Sequence, residues 1–412
     1  MLFLYDIGIQ LYSLLIRIAS IRNKKAAMWI AGRKSILESI ENQVDKNRPS
    51  IWFHFASLGE FEQGRPVLEE IKSLHPDSSI IVTFFSPSGY EIRKNYTLAD
   101  HVFYLPLDTA KNAGEFIRIV KPIAAIFTKY EYWYHYFDEL KKNDIPLFII
   151  SGIFRKQQPF FKWYGKLHRS MLGKVSRFFV QNEQSKELLN SIGFTNVTVN
   201  GDTRFDRVYQ NSLKTPGNVY VEKFSVGHKV FIAGSTWLED EQLLAALTAE
   251  NGDWKFIIAP HEVNPKRIEE VESLFPNSIR YSKFIDVAVK DAGQVLIIDN
   301  IGMLSSLYQY ASIAYVGGGF GVGIHNTLEA AAFALPLMFG PNYKKFQEAK
   351  DLIELGAAFS IKDETELKSR FEALKPKEVQ DKIGITAKQY VSNSKGATAS
   401  IISHLRAEGI IA

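Results

Sequence analysis

The chain has 412 residues, enough for two or three domains with separate hydrophobic cores. Hydrophobic residues make up 46% and charged residues 23%, which excludes wholesale disorder, collagen-like repetition and a polytopic membrane protein. The formal net charge is only +4, which does not favour a dedicated nucleic-acid binder. The absence of cysteine excludes disulfide scaffolds, thiolate metal sites and cysteine nucleophiles, and it is consistent with a reducing cytoplasm.

The N-terminal segment, residues 1–25, is predicted to be an amphipathic helix. Its longest uncharged run lies between Asp6 and Arg17 and has ten residues, whereas a bilayer span needs about 20. Polar residues form one stripe on this helix: Asp6, Gln10, Ser13, Arg17, Ser20 and Lys24. Cationic residues follow at once: Arg22, Lys24, Lys25, Arg33 and Lys34. This pattern favours a helix lying in an anionic membrane surface, and the alternative is a helix packed on its own domain.

From residue 50 onward, short apolar runs alternate with helical patterns, which is typical of parallel sheets covered by helices. Strands of a first half are predicted at Ser50–Ala56, Ser79–Phe85, Val102–Leu105, Ile123–Thr128, Pro146–Ser151 and Arg177–Gln181. Strands of a second half are predicted at Lys229–Ala233, Trp254–Ala259, Val295–Asp299, Ile313–Val316 and Pro336–Phe339. The pattern predicts an α/β fold of two doubly wound, Rossmann-like domains facing a cleft, with ligands at the carboxyl ends of the strands.

The domain boundaries are predicted from changes in composition along the chain. We predict an N-terminal domain at residues 26–205, a linker at 206–228 and a C-terminal domain at 229–412. The linker contains Pro216, Gly217 and few apolar runs. One last helix, at about Glu378–Ala407, could belong to either half.

Two carboxylates follow strands of the first half. Ser57 and Glu60 have the spacing of a capping box, in which both side chains satisfy backbone donors at a helix start. Alternatively, Glu60 at a strand end can accept a proton from a hydroxyl nucleophile. Glu131 can orient such a base or contact a sugar, and otherwise it is a solvated acid beside Lys129.

The clearest local motif runs from Tyr315 to Glu329. A strand end, a glycine-rich turn and a helix predicted at Leu328–Ala334 follow one another, so backbone N–H groups and the positive helix end are predicted to hold a phosphate. The motif is neither a Walker A loop nor a dinucleotide fingerprint. Glu329 either shares a capping box with Asn326 or binds ribose hydroxyls, and His325 is either a phosphate donor or structural.

Two further strand ends of the second half carry small or polar groups suited to a nucleotide. They are Gly234-Ser235-Thr236, with Thr236 and Glu239 at capping-box spacing, and Ala259-Pro260-His261. The sequence contains no Asp-x-Asp, His-Glu-x-x-His or Gly-x-Ser-x-Gly motif. A transferase without a metal must neutralise a leaving phosphate by main-chain N–H groups, helix dipoles and cationic side chains.

Further short motifs complete a series along the chain: Ser86-Pro87-Ser88-Gly89, Glu131-Tyr132-Trp133, Gly201-Asp202-Thr203-Arg204-Phe205-Asp206 and His325-Asn326-Thr327-Leu328-Glu329. With the N-terminal helix and the motifs above, and in this order, the chain resembles the Kdo transferases of lipopolysaccharide assembly. These enzymes move 3-deoxy-D-manno-octulosonic acid (Kdo) from CMP-Kdo to a lipid A precursor. The resemblance covers nearly the whole chain.

The resemblance implies an inverting, metal-independent glycosyltransferase of the two-Rossmann (GT-B) type on the cytoplasmic face of the inner membrane. Its general base maps to Glu60 and its second acid to Glu131. CMP-binding residues are implied at Ser235, Pro260, His261, Ile301, Gly302, Met303, Gly318, Gly319, His325, Asn326, Thr327, Leu328 and Glu329. Acceptor or anion contacts are expected at Ser57, Gly59, Arg155 and Arg204. The expected partners are CMP-Kdo as donor substrate, a lipid A precursor and an anionic membrane surface, with no cofactor, no metal and no nucleic acid.

Three positions depart from the family pattern. The family usually has Pro-Arg-His where this chain reads Ala259-Pro260-His261, an acidic residue is common where Met303 stands, and Thr327 stands in place of a proline. A basic segment interleaved with aromatic residues either suits phosphates and a lipid surface or is a solvated helix: Arg155, Lys156, Lys162, Lys166 and Arg169 with Phe160, Phe161, Trp163 and Tyr164. Two alternatives remain, namely a GT-B glycosyltransferase or epimerase that uses a nucleotide diphosphate sugar, and a non-catalytic nucleotide-binding protein of the membrane surface.

Overall fold

The computed structural model describes residues 2–129, 131–284 and 293–411. The chain divides into two units, one formed by Met1–Asp206 with Lys395–Ala412 and the other by Arg207–Ser394. Two predicted boundaries are therefore wrong. Residues 395–412 group with the first unit rather than with the predicted domain 229–412, and the predicted linker 206–228 contains helical segments that group mainly with the second.

Each unit contains one parallel sheet with seven strands in the described part of the chain. The first sheet has the order β3-β2-β1-β4-β5-β6-β7, with β1 (Ser50–Phe55), β2 (Ser79–Phe84), β3 (His101–Tyr104), β4 (Pro122–Thr128), β5 (Leu147–Gly152), β6 (Arg177–Val180) and β7 (Val197–Val199). The second has the order β10-β11-β9-β8-β12-β13-β14, with β8 (Lys229–Thr236), β9 (Trp254–Pro260), β10 (Ser278–Arg280), β11 (Val295–Ile297), β12 (Ile313–Val316), β13 (Leu337–Phe339) and β14 (Ala358–Ser360).

Helices cover the sheets. They are α1 (Leu2–Ala19), α2 (Lys24–Ala31), α3 (Ile36–Gln43), α4 (Leu58–Leu74), α5 (Pro87–Arg93), α6 (Ala110–Val120), α7 (Tyr134–Lys142), α8 (Lys166–Leu172), α9 (Glu183–Asn190), α10 (Thr203–Leu213), α11 (Val219–Ser225), α12 (Leu238–Glu250), α13 (Pro265–Leu274), α14 (Tyr281–Phe284), α15 (Leu304–Leu307), α16 (Leu328–Ala332), α17 (Gln347–Glu354), α18 (Glu364–Leu374), α19 (Lys377–Asn393) and α20 (Ala397–Ala407). The predicted α/β fold is confirmed, and it follows from apolar strands such as β1 and β2, whose residues are all buried.

In both sheets the strand order reverses beside the first strand of the unit. The reversal lies between β1 and β4 in the first sheet and between β8 and β12 in the second. Loops that follow such a pair of parallel strands diverge to opposite faces and leave a crevice at the carboxyl ends. Glu60 and Glu131 follow β1 and β4, Ser235 lies near the end of β8, and His325 lies in the loop after β12.

Helix α1 packs on the rest of the first unit through Tyr5 and part of its polar stripe. Tyr5 donates its hydroxyl hydrogen to Asp108, Oδ1 of Asp6 lies 2.7 Å from Nε2 of His135, and Ser13 is buried. The opposite face exposes large apolar side chains: Phe3, Leu4, Ile7, Leu11, Leu14, Leu15 and Ile18. Within the described residues, α1 alone has the length and apolar composition that a membrane-crossing helix requires. Its apolar surface is therefore directed away from the unit on which it packs.

Arg33 does not belong to the exposed basic cluster that the sequence predicted. Its guanidinium lies 3.8 Å from the ring centroid of Trp29 and donates to the carbonyl oxygens of Phe85 and Leu105, each at 2.8 Å. Burial lowers the pKa of Arg33 to about 9. This side chain holds the second helix to the strand ends rather than contacting an anionic surface.

The predicted last helix is two helices. Gly396 has a φ of 117° and separates α19 from α20. Asp206 accepts the N–H groups of Gly396 at 2.6 Å and Thr398 at 3.0 Å, and thereby caps α20 from the first unit. The second acid of the Gly201–Asp206 motif is thus a structural anchor.

Candidate functional site

Glu60 lies in the first turn of α4, directly beyond the carboxyl end of β1. Its Oε2 accepts the Ala56 N–H at 2.6 Å, and the side chain is buried. Ser57 makes no side-chain bond at the helix start, so the predicted capping box is wrong. Burial first, and then the charge of Glu131, raise the pKa of Glu60 to about 8, against the opposing effects of the Ala56 N–H and Lys129.

Glu131 is held in a fixed orientation. Trp133 Nε1 donates to its Oε2 at 2.9 Å, and His54 Nε2 lies 3.2 Å from the same oxygen. His54 is fully buried, with its Nδ1 2.8 Å from the hydroxyl of Thr83. The side chain of Glu131 is only 14% exposed, so the alternative of a solvated acid is wrong.

The two carboxylates follow β1 and β4, the strands between which the first sheet reverses its order. Lys129 at the end of β4 has a φ of 65°, a left-handed conformation that is costly for a non-glycine residue and recurs at functional sites. Its charge acts on both Glu60 and Asp202. A carboxylate with a pKa near the working pH, beside a second, fixed carboxylate, is suited to general base chemistry.

The predicted acceptor contacts differ in their surroundings. Gly59 has open space, since a Cβ there would meet only Ser57 Oγ at 4.0 Å. Arg204 pairs with the buried Asp202 at 2.8 Å; burial alone would raise the pKa of Asp202, but Arg204 lowers it overall. The charge of Arg204 is therefore already neutralised by Asp202. Arg155, which follows β5, is exposed.

The basic and aromatic segment after β5 is partly structural. Arg169 donates to the carbonyl oxygens of Phe160 at 2.9 Å and Lys162 at 2.8 Å, which holds this turn closed. Trp163 is 92% exposed and Tyr164 is 52% exposed. The prediction of a cationic surface thus fails for Arg169, while contact of the exposed aromatic pair with lipid stays a prediction.

In the second unit, three rings from three strand ends are stacked. Trp237 follows β8, His261 follows β9 and His325 lies in the loop after β12. The ring centroids of Trp237 and His261 are 4.8 Å apart, and those of His261 and His325 are 4.3 Å apart. Trp237 Nε1 also donates to Nε2 of His325 at 3.2 Å. Burial, and then His261, lower the pKa of His325 to about 4, so its ring is neutral at physiological pH.

The glycine-rich loop is shaped by packing inside the second unit. The Gly318 N–H donates to Asp240 at 2.9 Å, so the chain itself satisfies this one N–H of the loop, while the contact of the loop with a phosphate stays a prediction. A Cβ on Gly319 would lie 2.6 Å from the Cα of Gly340, which only glycine permits. The following helix α16 has five residues and is shorter than predicted. The loop thus owes at least part of its glycine content to close backbone packing.

Asn326 and Glu329 are linked at the start of α16. Asn326 donates from Nδ2 to Glu329 at 3.0 Å and accepts the Leu328 N–H at 3.1 Å. Burial raises the pKa of Glu329, although Asn326 and Arg207 oppose the rise. The hydroxyl of Thr327 is buried and has no hydrogen-bond partner among the described residues. The helix-start interpretation of Asn326 and Glu329 therefore has direct contacts, and the ribose contact of Glu329 stays a prediction.

The other predicted CMP contacts lie at strand ends or turns. Ser235 has a φ of 55° near the end of β8, and Pro260 ends β9 on the neighbouring position of the sheet. In the turn after β11, Ile301 is 88% exposed and Gly302 has a φ of 95° with open space around it. Met303 precedes α15. Parallel pairing brings Ser235 and Pro260 to the same sheet edge as the stacked rings.

Sequence reasoning missed His54, Trp237 and Asp240. His54 stands in an otherwise apolar buried strand, where a histidine needs polar partners, and this could have marked it. Trp237 and Asp240 follow a strand end that had been identified, but the contact of Trp237 with His325 spans 88 residues of sequence and that of Asp240 with Gly318 spans 78. No local pattern carries such information.

Comparison with known proteins gives a consistent picture. Residues 31–207 match the family model described as 3-deoxy-D-manno-octulosonic-acid transferase (kdotransferase). A 3-deoxy-D-manno-octulosonic acid transferase of Chlamydia trachomatis serovar A is 28% identical over 328 residues, covering 77% of this chain and 76% of that protein. A bifunctional glycosyltransferase/methyltransferase of Fusobacterium nucleatum is 25% identical over 349 residues, covering 82% of this chain. The match covers 54% of that longer relative, so the chain spans about half its length.

Solved structures agree on the fold. UDP-GlcNAc 2-epimerase from Neisseria meningitidis bound to UDP-GlcNAc aligns with a TM-score of 0.61 and 16% identity, over 86% of this chain and 99% of that chain. At this identity the likeness concerns the architecture alone. The predicted GT-B type of α/β fold is confirmed.

Proposed function

We propose that the chain is a 3-deoxy-D-manno-octulosonic-acid transferase, the family whose model its residues 31–207 match, and that it transfers Kdo from CMP-Kdo to a phosphorylated lipid A precursor with inversion at the anomeric carbon. The observation that carries this proposal is the buried carboxylate of Glu60, whose pKa is raised to about 8 beside the fixed carboxylate of Glu131. Both follow the strands at which the first sheet reverses.

Glu60 is proposed as the general base. A hydroxyl oxygen of the acceptor attacks the anomeric carbon of Kdo, its proton passes to Glu60, and the bond between the anomeric carbon and the phosphate oxygen breaks, so that CMP leaves from the opposite face. A pKa near 8 makes the carboxylate a stronger base than an ordinary glutamate, while a useful fraction stays ionised at neutral pH. Burial and then the charge of Glu131 raise this pKa, and Glu131 is itself fixed by Trp133 and His54.

The second unit is proposed to hold CMP at its strand ends, around His261, His325 and Pro260. We propose that no metal takes part and that neutral hydrogen-bond donors and nearby cationic side chains stabilise the negative charge of the leaving phosphate. A nucleoside monophosphate leaving group carries less charge than a diphosphate, which suits such a site. Among the described residues, no three His, Asp or Glu side chains form a group that could hold a metal ion.

Membrane attachment is proposed through α1. Its polar contacts to Asp108 and His135 fix the helix on the first unit and leave the face with Phe3, Leu11 and Leu15 exposed. A contiguous apolar surface of this kind is stabilised by the boundary between headgroups and acyl chains. The site would then act at the cytoplasmic side of the inner membrane, where the lipid acceptor is.

The direct test is incubation of the full chain with CMP-Kdo and a tetraacylated lipid A precursor, followed by mass spectrometry of the lipid. We expect a mass increase of one or more Kdo residues with wild type and a loss of at least about 100-fold in rate with Glu60→Gln, because general base catalysis contributes roughly 10²–10⁴-fold. Glu70→Gln, an exposed acid on the same helix α4, is the matched control. No lipid product with wild type, or normal transfer by Glu60→Gln, would contradict the proposal.

The second candidate is the one that the sequence left open, an enzyme of a nucleotide diphosphate sugar; the shared architecture with a UDP-GlcNAc 2-epimerase does not decide between the two. Thermal protection separates the two. Under the Kdo-transfer proposal CMP raises the melting temperature more than UDP or GDP at equal concentration, since only a bound nucleotide stabilises the native state. Greater protection by UDP would favour the second candidate.

A further inference from the structure

The contacts of Trp237 determine which nitrogen of His325 carries the proton. An indole N–H can only donate, so Nε2 of His325, 3.2 Å from Trp237 Nε1, must present its lone pair. Burial and His261 keep the ring neutral. A neutral imidazole has one N–H, which therefore lies on Nδ1.

The Nδ1–H of His325 has no acceptor among the residues that the structure describes. The rings of Trp237 and His325 both lie against the neighbouring ring of His261, with centroids 4.8 Å and 4.3 Å from its centroid, and Trp237 also contacts the Nε2 edge of His325. The three rings thus brace one another, and the edge of His325 that bears Nδ1 is left for a ligand. A fixed N–H donor matches an anionic oxygen rather than a cation.

We infer that Trp237 is a positioning residue, which holds His325 in the tautomer protonated on Nδ1 and so makes it a hydrogen-bond donor to the phosphate of the bound nucleotide. This inference rests on the proposed CMP site. No sequence motif assigned Trp237 a role, and it acts only through His325.

The test uses Trp237→Phe, which keeps an aromatic ring on His261 but removes the indole N–H. In the full chain labelled with ¹⁵N-histidine, wild type is expected to show His325 protonated on Nδ1, and the variant a shift toward protonation on Nε2. CMP affinity is expected to fall by roughly 2- to 12-fold, because the variant loses the neutral hydrogen bond from Trp237 to His325 that favours the donor tautomer. Trp163→Phe, at an exposed tryptophan of the first unit, is the control and should change neither measurement.

A rescue variant separates positioning from a structural effect. In Trp237→Phe/His325→Asn, the side-chain amide places a donor near the former Nδ1 without needing a tautomer, so CMP affinity should recover at least in part. An Nε2-protonated His325 in wild type, an unchanged tautomer in Trp237→Phe, or a changed tautomer with unchanged CMP affinity would each overturn the inference. These measurements need no sugar transfer, so their failure is distinct from failure of the proposed reaction.

A second, independent observation is an open cavity of about 1200 Å³ in the second unit. It lies beyond the ends of β12, β13 and β14, and four cationic side chains and one carboxylate line it: Lys344, Lys345, Lys362, Arg370 and Glu366. Lys362 pairs with Glu366 at 3.2 Å. No ion pair or hydrogen bond of the ammonium groups of Lys344 and Lys345 occurs within the described ranges, and the whole chain carries a net charge of only +4.

The geometry points to a binding site for a phosphomonoester carried by a sugar. Carboxyl ends of parallel strands are ligand sites, the volume admits a sugar phosphate, and unpaired lysines are matched by a group of two negative charges. Hydroxyl groups of Thr365 and Ser369 also line the cavity and suit a sugar ring.

Calorimetric titration of the full chain with glucosamine 1-phosphate tests this site, with inorganic phosphate as the second arm. Lys344→Ser/Lys345→Ser should weaken binding by roughly 2- to 30-fold, as for two exposed ion pairs. Lys382→Ser/Lys388→Ser, two exposed lysines of α19, is the matched control and should bind as wild type. Equal affinity for free phosphate would overturn the sugar part of the proposal, and no binding by wild type, or equal binding by both double variants, would overturn the site.

Discussion

Replacing Glu60 by glutamine should change stability in a way that depends on pH. The pKa of Glu60 is about 8 in the native state, against 4.5 for an ordinary glutamate. Between these values the native state binds a proton that the unfolded chain does not, so wild-type stability falls as pH rises from 4.5 to 8. At about 1.4 kcal/mol per pKa unit, the loss above pH 8 is at most about 5 kcal/mol. Glutamine keeps the shape and can still accept the Ala56 N–H, but it carries no charge.

Urea unfolding, followed by tryptophan fluorescence at pH values from 5 to 9, measures this effect. Glu60→Gln should resemble wild type near pH 5 and become progressively more stable than wild type up to pH 8, with a constant difference beyond it. Glu70→Gln on the same helix should show no such trend. A difference between wild type and Glu60→Gln that stays the same from pH 5 to 9 would refute the raised pKa.

Three further predictions concern single residues. Thr327→Pro should raise the melting temperature by the equivalent of about 0.4–1 kcal/mol, because its φ of −80° suits proline and its buried hydroxyl has no partner in the described chain. Asp206→Ala should lower the free energy of unfolding in urea by about 1–3 kcal/mol, because the N–H groups of Gly396 and Thr398 lose their acceptor. Faster hydrogen exchange confined to α20 would show that the loss is local to this helix. Leu15→Glu should reduce sedimentation with anionic vesicles while leaving CMP affinity unchanged; undiminished vesicle binding would contradict the role of α1.

The fold was accessible from the sequence because long strands buried on both faces leave an unmistakable apolar pattern. β1 and β4 are examples, since all residues of β1 and all but Ile123 of β4 are buried. The missed strands β7, β10 and β14 have three residues each and are mostly half-buried, whereas β11 and β13 are equally short but fully buried and were predicted from their apolar runs. The boundary near 395 was missed because it depends on a cap from Asp206, distant in sequence.

The site was accessible only in part. A glutamate just after a strand is visible in the sequence, but the raised pKa of Glu60 depends on burial and on Glu131, which tertiary structure supplies. The glycine-rich loop suggested a phosphate cradle, yet Gly318 is occupied by Asp240. Glycine marks a need for space or unusual backbone angles without saying whether chain or ligand fills the space.

The most direct test of the central claim is the pH dependence of kcat/KM for Kdo transfer. We predict a rising limb with an apparent pKa near 8 in wild type. In Glu131→Gln, which removes the neighbouring charge but keeps the shape, the limb should move down by about one pH unit. A limb that is identical in wild type and Glu131→Gln, or a full rate in Glu60→Gln, would contradict the assignment of Glu60 as the base.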